Sequence, residues 1–170
     1  MSLAQALVTR FRLRRLARCG RQVGVQGRLW VHGFGKVDVG DGTQFEGGAT
    51  GIGLNAFKDA RIVIGARCRL GEGVSIEACE LVQLGNDVTV GPWTKILDNN
   101  FHTMQGDWNE QPPSRPVIIE DGVVLGQSVV ILPGVLVEKG ARVADGAVVS
   151  RRVVAGAVVA GNPAKRLRSA

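Results

Sequence analysis

From Ile119 an aliphatic or small residue recurs at every sixth position: Ile119, Leu125, Ile131, Val137, Val143 and Val149, with Ala155 next in phase. Two positions earlier a second set keeps the same step, running Val117, Val123, Val129, Val135, Ala141, Ala147 and Val153. Gly122, Gly134, Gly140 and Gly146 share one phase of that frame. Upstream, Ile64, Leu70 and Ile76 lead to Leu84, Val90 and Ile96, with two extra residues before Leu84. Val25, Val31, Val39 and Phe45 extend the pattern more loosely. A step of six does not fit the helical period, whereas apolar pairs at i−2 and i fit strand alternation. Each unit is then a short strand and a turn, too small to bury its own apolar face. Coiling the units so that equivalent strands stack about 4.8 Å apart buries a continuous aliphatic column. An antiparallel sandwich has no reason to hold so strict a period. The expectation is an all-β chain, a parallel coil of six-residue units.

The pattern stops once. Residues 97–116, LDNNFHTMQGDWNEQPPSRP, contain three prolines and no six-residue frame. A long irregular excursion inside a repeat array is usually functional or disordered. It carries His102, one of two histidines in the chain, with Asp98, Asp107, Trp108 and Glu110 nearby. Imidazole titrates near neutrality and suits proton transfer. Asp98 and Asp107 are candidates to hold a substrate hydroxyl or to orient that imidazole, and read equally well as solvated loop carboxylates. Trp93 is a candidate to stack on the apolar face of a ligand or to pack between subunits. His32, in VHGFGK, reads as a turn or surface residue.

At the start, Ser2 and Gln5 form a capping-box pattern and Gly20 supplies a stop, predicting a basic helix over residues 1–21. Leu3, Leu7 and Phe11 share a stripe that Arg14 and Arg18 continue. This helix is expected to cap the open end of the coil, with contact to an anionic membrane surface as the other reading. The domain division is then 1–21 and 22–168, the second interrupted by the loop.

Composition sharpens this picture. Glycine at 24 of 170 residues, no tyrosine and 5% aromatics suit narrow layers of small aliphatics with many turns. The formal charge of +6 suggests nucleic acid only until it is partitioned. The first 21 residues hold six arginines and no acid, and the last 20 hold five bases and no acid. Residues 22–150 carry every acid and are acidic on balance. No basic groove for nucleic acid is expected. Three cysteines without a CxxC spacing point to reduced thiols and a cytoplasmic setting, with the inner face of the membrane as a variant.

Runs such as VVLGQSVVILPGVLVEKGARVADGAVVS resemble the hexapeptide repeats of left-handed parallel β-helix acyltransferases, and the closing AGNPAKRLR resembles that family's terminal segment. The resemblance covers roughly residues 22–168. It implies a left-handed coil of three hexapeptides per turn, a homotrimer and acetyl-CoA as cosubstrate, with no metal. ILDNNFH is similar to the loop that supplies the catalytic histidine in sugar O-acetyltransferases of the family. The resemblance thus places the base on His102. Asn99 stands where those sequences often carry a second histidine, as an acceptor-binding or histidine-orienting position. By the same resemblance, Gly126 and Gln127 fall at a pantetheine-contacting turn, Ser150 and Arg151 on a late coil at the cofactor, and Lys165 near the nucleotide 3′-phosphate. The implied activity is acetyl transfer to a hydroxyl of a sugar, nucleotide sugar or lipid-linked glycan. N-acetylation of an amino sugar is the alternative on the same scaffold, and a purely structural coil the non-enzymatic one. The γ-class carbonic anhydrases share this coil but need three imidazoles for zinc, and this sequence has two. A serine acetyltransferase is disfavoured by the short segment before the repeats.

Overall fold

The computed structural model describes residues 16–101 and 112–167. Among them every regular element is a strand, and the strands wind into a left-handed β-helix of triangular section. One face is a six-stranded parallel sheet, from Arg18–Cys19 through Lys36–Val39, Arg61–Ile64, Leu81–Leu84 and Val117–Ile119 to Leu136–Val137. The second and third faces form one sheet, because the strand Gln44–Ala56 bends around the edge between them. Its first residues pair with Arg69–Leu70 on the second face and its last with Ser75–Ala78 on the third.

The register explains the frame. Ile119 stacks on Leu84 and beneath Val137. Leu125 stacks between Val90 and Val143, and Ile131 between Ile96 and Val149. Consecutive positions of the six-residue frame therefore belong to consecutive faces, and each face contributes one inward column. Phe45, Leu70, Ile76, Ile96, Ile119 and Ile131 are all fully enclosed. The residues two positions earlier, such as Val117, Val123 and Val129, are also buried, at the corners. Loss of one such Leu or Ile side chain removes its burial energy and opens a cavity, about 2–5 kcal/mol in cores of this density.

Turn residues at the corners adopt the left-handed conformation, each donating its N–H to a carbonyl of the coil before. On the first edge, between the first and second faces, Arg67 bonds to Asp41, Asp87 to Ala66, Gly122 to Asn86 and Gly140 to Asp121. Glycine fills this slot freely, and in the earlier coils Arg67, Asp87 and Trp93 occupy equivalent slots at φ +56°, +58° and +63°.

Three expectations need correction. The basic segment is not helical up to Gly20: Arg18 and Cys19 lie in a strand paired with Asp38 and Val39, where they satisfy the open edge of Lys36–Val39. Residues 1–15 lie outside the described residues. Ala155 is exposed, and Val153 instead bridges Val137, because the last coil is two residues shorter than the regular one. Finally, the strand Lys165–Arg166 breaks the parallel rule, returning antiparallel on Val158–Ala160.

Candidate functional site

The irregular segment leaves the coil at the third edge, between the third and first faces, and its neck is closed. Arg115 N–H donates to Asp98 O at 2.8 Å, and Gly134 N–H in the next coil donates to Arg115 O at 2.9 Å. The strands on either side keep their stacking, Ile96 on Ile131 and Ile119 on Leu84. The excursion is an insertion into an unbroken wall.

Two buried polar side chains make the neck. Asp98 is 0% exposed, and its carboxylate accepts N–H bonds from Cys79 at 2.8 Å, Glu80 at 2.8 Å and Leu81 at 2.7 Å. Those residues sit one coil below, where the sequence carries its two extra residues. Asp98 is therefore the clamp of that wider turn, an enclosed carboxylate with three backbone N–H donors on its oxygens. Asn99, 1% exposed, joins the two arms of the loop. Its Nδ2 donates to Pro112 O at 2.7 Å and Ser114 Oγ at 2.9 Å, while its Oδ1 accepts from Phe101 N–H at 2.6 Å. It staples the base of the loop. Phe101, the residue before His102, packs its ring against Phe57 with centroids 5.5 Å apart. His102 and Asp107, with Trp108 and Glu110, lie outside the described residues.

The remaining expected residues divide between two edges. Trp93, half exposed at 52%, lies on the second edge, between the second and third faces, over Gly73. A Cβ on Gly73 would fall 2.5 Å from the indole, so only glycine admits this stacking. Below it, Glu72 accepts from Thr50 N–H, and the Thr50 and Ala49 amides hold its carboxyl below the ordinary range. Above it, Thr94 Oγ donates to Gly126 O at 2.8 Å and accepts from Val129 N–H at 3.1 Å, fixing the Gly126–Gln127 turn. Gln127 N–H is bound by Asp145 Oδ1, and the glutamine side chain is exposed. A Cβ on Gly126 would lie 2.2 Å from the same Asp145 oxygen, so this turn requires glycine. Thr94 is the residue that sequence reasoning missed; its signal is a hydroxyl in a corner slot otherwise held by Val123 or Val129.

Ser150 and Arg151 are exposed at the third edge, following Val149. Ala164 N–H donates to Val148 O at 2.8 Å, holding the turn that leads into exposed Lys165. Among the described residues Arg151, Lys165 and Arg166 have no carboxylate within ion-pair distance, whereas neighbouring Arg152 is bound to Glu138. Unpaired cations on the last coils fit the phosphates of a nucleotide cosubstrate. Cys68 is enclosed at a corner, where burial pushes its thiol pKa up and removes it as a nucleophile.

Comparison with known proteins agrees with this architecture. A family model described as "Hexapeptide repeat of succinyl-transferase" matches residues 116–151. A 2,3,4,5-tetrahydropyridine-2,6-dicarboxylate N-acetyltransferase of Staphylococcus aureus is 59% identical over 61 residues, 36% of this chain and 26% of the relative. The chain thus spans about a quarter of the length of the curated relatives it matches. A hexapeptide-repeat acetyltransferase from Vibrio cholerae superposes at TM-score 0.67 with 25% identity, over 99% of this chain and 82% of that one. The Vibrio protein has also been solved with acetyl coenzyme A. The polysialic acid O-acetyltransferase OatWY superposes at TM-score 0.74 with 23% identity, over 88% and 72% of the two chains, and shares the fold. With its three inward columns, its left-handed turns and these likenesses, the chain carries hexapeptide repeats and has the left-handed β-helix fold seen in hexapeptide-repeat acetyltransferases.

Proposed function

We propose that the chain transfers an acetyl group from acetyl-CoA to a sugar hydroxyl, with His102 as general base. The observation that carries this reading is the closed-necked insertion at residues 99–114. An otherwise regular wall carries one long insertion, two buried side chains hold its neck, and the inserted segment contains a histidine. Unpaired cations on the coils beyond it supply a place for phosphates. The acetyl-CoA complex of the Vibrio cholerae protein supports the choice of cosubstrate.

A sugar hydroxyl is a weak nucleophile until its proton leaves as the new bond forms. In this mechanism neutral His102 accepts that proton while the hydroxyl oxygen attacks the thioester carbonyl. The C–S bond then breaks, and the imidazolium returns the proton to the thiolate. Thiols ionise near pH 8.5, so the leaving group needs no stronger acid. The thioester is already activated, and no enzyme nucleophile is required. Arg151 and Lys165 hold the phosphates, Gln127 the pantetheine arm, and the assembly is a homotrimer in the cytoplasm.

N-acetylation of an amino sugar is the second reading; the shared identity with the staphylococcal N-acetyltransferase supports nitrogen as the accepting atom and does not bear on the sugar. The test is thiol release from acetyl-CoA with a panel of sugars, amino sugars and nucleotide sugars. His102→Ala is expected to lose a factor of about 10²–10⁴ in rate. Near-wild-type turnover in that variant removes His102 as the base, and absence of any CoA-induced rise in Tm removes the transferase reading.

A further inference from the structure

The outer surface of the third face differs from that of the other two. On the first face Arg61 pairs with Asp38 across neighbouring strands at 2.7 Å, and on the second Arg69 pairs with Glu46 at 2.6 Å. On the third face no outward side chain among the described residues makes an ion pair. Instead, one outward row runs His32, Asn55, Glu77, each in register with the next, and ends at Leu97, the last strand residue before the loop. A parallel row beside it runs Trp30, Gly53, Ser75, Lys95. The Asn55 side chain has no hydrogen-bond partner among the described residues. Glu77 accepts one bond, from Ser75 Oγ at 3.1 Å.

Trp30 supplies an apolar plane at the far end of this strip. Its indole lies down on the neighbouring strand because residues 51 and 53 there are glycines; a Cβ on Gly51 would fall 2.7 Å from Nε1. The ring is 49% exposed and stacked on His32, with centroids 6.3 Å apart and planes at 17°. The strip therefore combines an exposed aromatic face, a carboxamide, a carboxylate and an ammonium, set on strands about 4.8 Å apart. Glu77 and Lys95 balance in charge, which suits a neutral, hydroxyl-rich ligand better than a polyanion. A hydroxyl needs donors and acceptors close together, and the weakly polar face of a sugar ring packs on an aromatic plane.

We infer that this strip binds the pyranose ring of the acceptor, with Trp30 under the ring and Asn55 and Glu77 on its hydroxyls, aiming it along the third face toward the loop that carries His102. The inference rests on the transferase reading and names the acceptor-binding residues within it. The candidate cosubstrate cations Arg151 and Lys165 lie on coils beyond the neck of the loop, on the opposite side of it from the strip.

The experiment presents the full chain to an immobilised array of neutral pyranosides and amino-pyranosides, with titration of those retained. CoA-induced rise in Tm is measured in parallel on every protein. Trp30→Ala, Asn55→Ala and Glu77→Gln are expected to weaken pyranoside binding by about tenfold or more, the loss of one good hydrogen bond or stacking contact. Their response to CoA stays that of wild type, and Arg69→Ala on the second face binds pyranosides as wild type does. If CoA binds but no pyranoside is retained, or the three variants bind as wild type, the inference is overturned while the transferase reading stands. If Trp30→Ala splits the oligomer in sedimentation while Asn55→Ala and Glu77→Gln bind normally, the strip is a subunit contact and the inference again fails. A chain that retains pyranosides through these residues but shows no response to CoA keeps the strip and loses the transferase.

Discussion

Asp98 shows how far a residue's role depends on neighbours remote in sequence. Read along the chain it is a loop carboxylate beside a histidine. In the fold it accepts three backbone N–H groups from residues 79–81. The link was present in the sequence as two extra residues between Ile76 and Leu84, but only the coil register brings that widening beneath Asp98. Asp98→Ala leaves three partly enclosed donors without their acceptor. Hydrogen bonds to charged groups contribute about 1.5–3 kcal/mol each, so the variant is expected to lose about 3 kcal/mol or more of unfolding free energy. Urea denaturation measures it; a midpoint equal to wild type would show that the clamp is dispensable. Asn99 teaches the same lesson: its departure from the family pattern was legible, whereas its use as a staple between Phe101 and Pro112 required the two arms in space.

At the scale of elements, the inward columns were readable because a strict period fixes which residues share a face. The edges were harder. Gln127 and Ser150 look alike as exposed turn residues, yet they sit on different edges, and assigning them requires counting through coils of unequal length. The same irregularity moved the last inward position of the first face from Ala155 to Val153. The left-handed slots were visible where glycine holds them and hidden where Arg67, Asp87 or Trp93 does. Because Asp98 and Arg115 are already bonded across the neck, the loop is separable from the wall. Replacement of residues 100–113 by a short glycine link is expected to keep the Tm within a few degrees while abolishing acetyl transfer. Calorimetry and the thiol-release assay read the two effects. Collapse of the coil would mean that the excursion supports the fold, contrary to the continuous stacking of Ile96 on Ile131.

For the whole molecule, the partition of charge seen in the sequence has a structural counterpart. Acidic side chains of the body are largely engaged with neighbouring coils, as Asp41 is with Arg21, Asp87 with Arg67 and Glu138 with Arg152. Beside Arg152, the cations Arg151, Lys165 and Arg166 of the final coils have no carboxylate partner among the described residues. The third-face strip was not legible at all, since Trp30, Asn55 and Glu77 are far apart in sequence and align only through stacking.

The reversed strand Lys165–Arg166 has a consequence for self-assembly. A parallel coil offers at its last turn a row of backbone donors and acceptors in the geometry of the next strand, a template on which another molecule can grow. Here Leu167 N–H occupies Val158 O, and the antiparallel pairing of Val159 with Arg166 covers that row with a strand of the wrong polarity for further coiling. The short return is thus a stopper against end-to-end polymerisation. A chain ending at Pro163 is expected to form thioflavin-positive filaments at concentrations where the full chain stays dispersed. Sedimentation showing the shortened chain equally dispersed would deny the stopper that role.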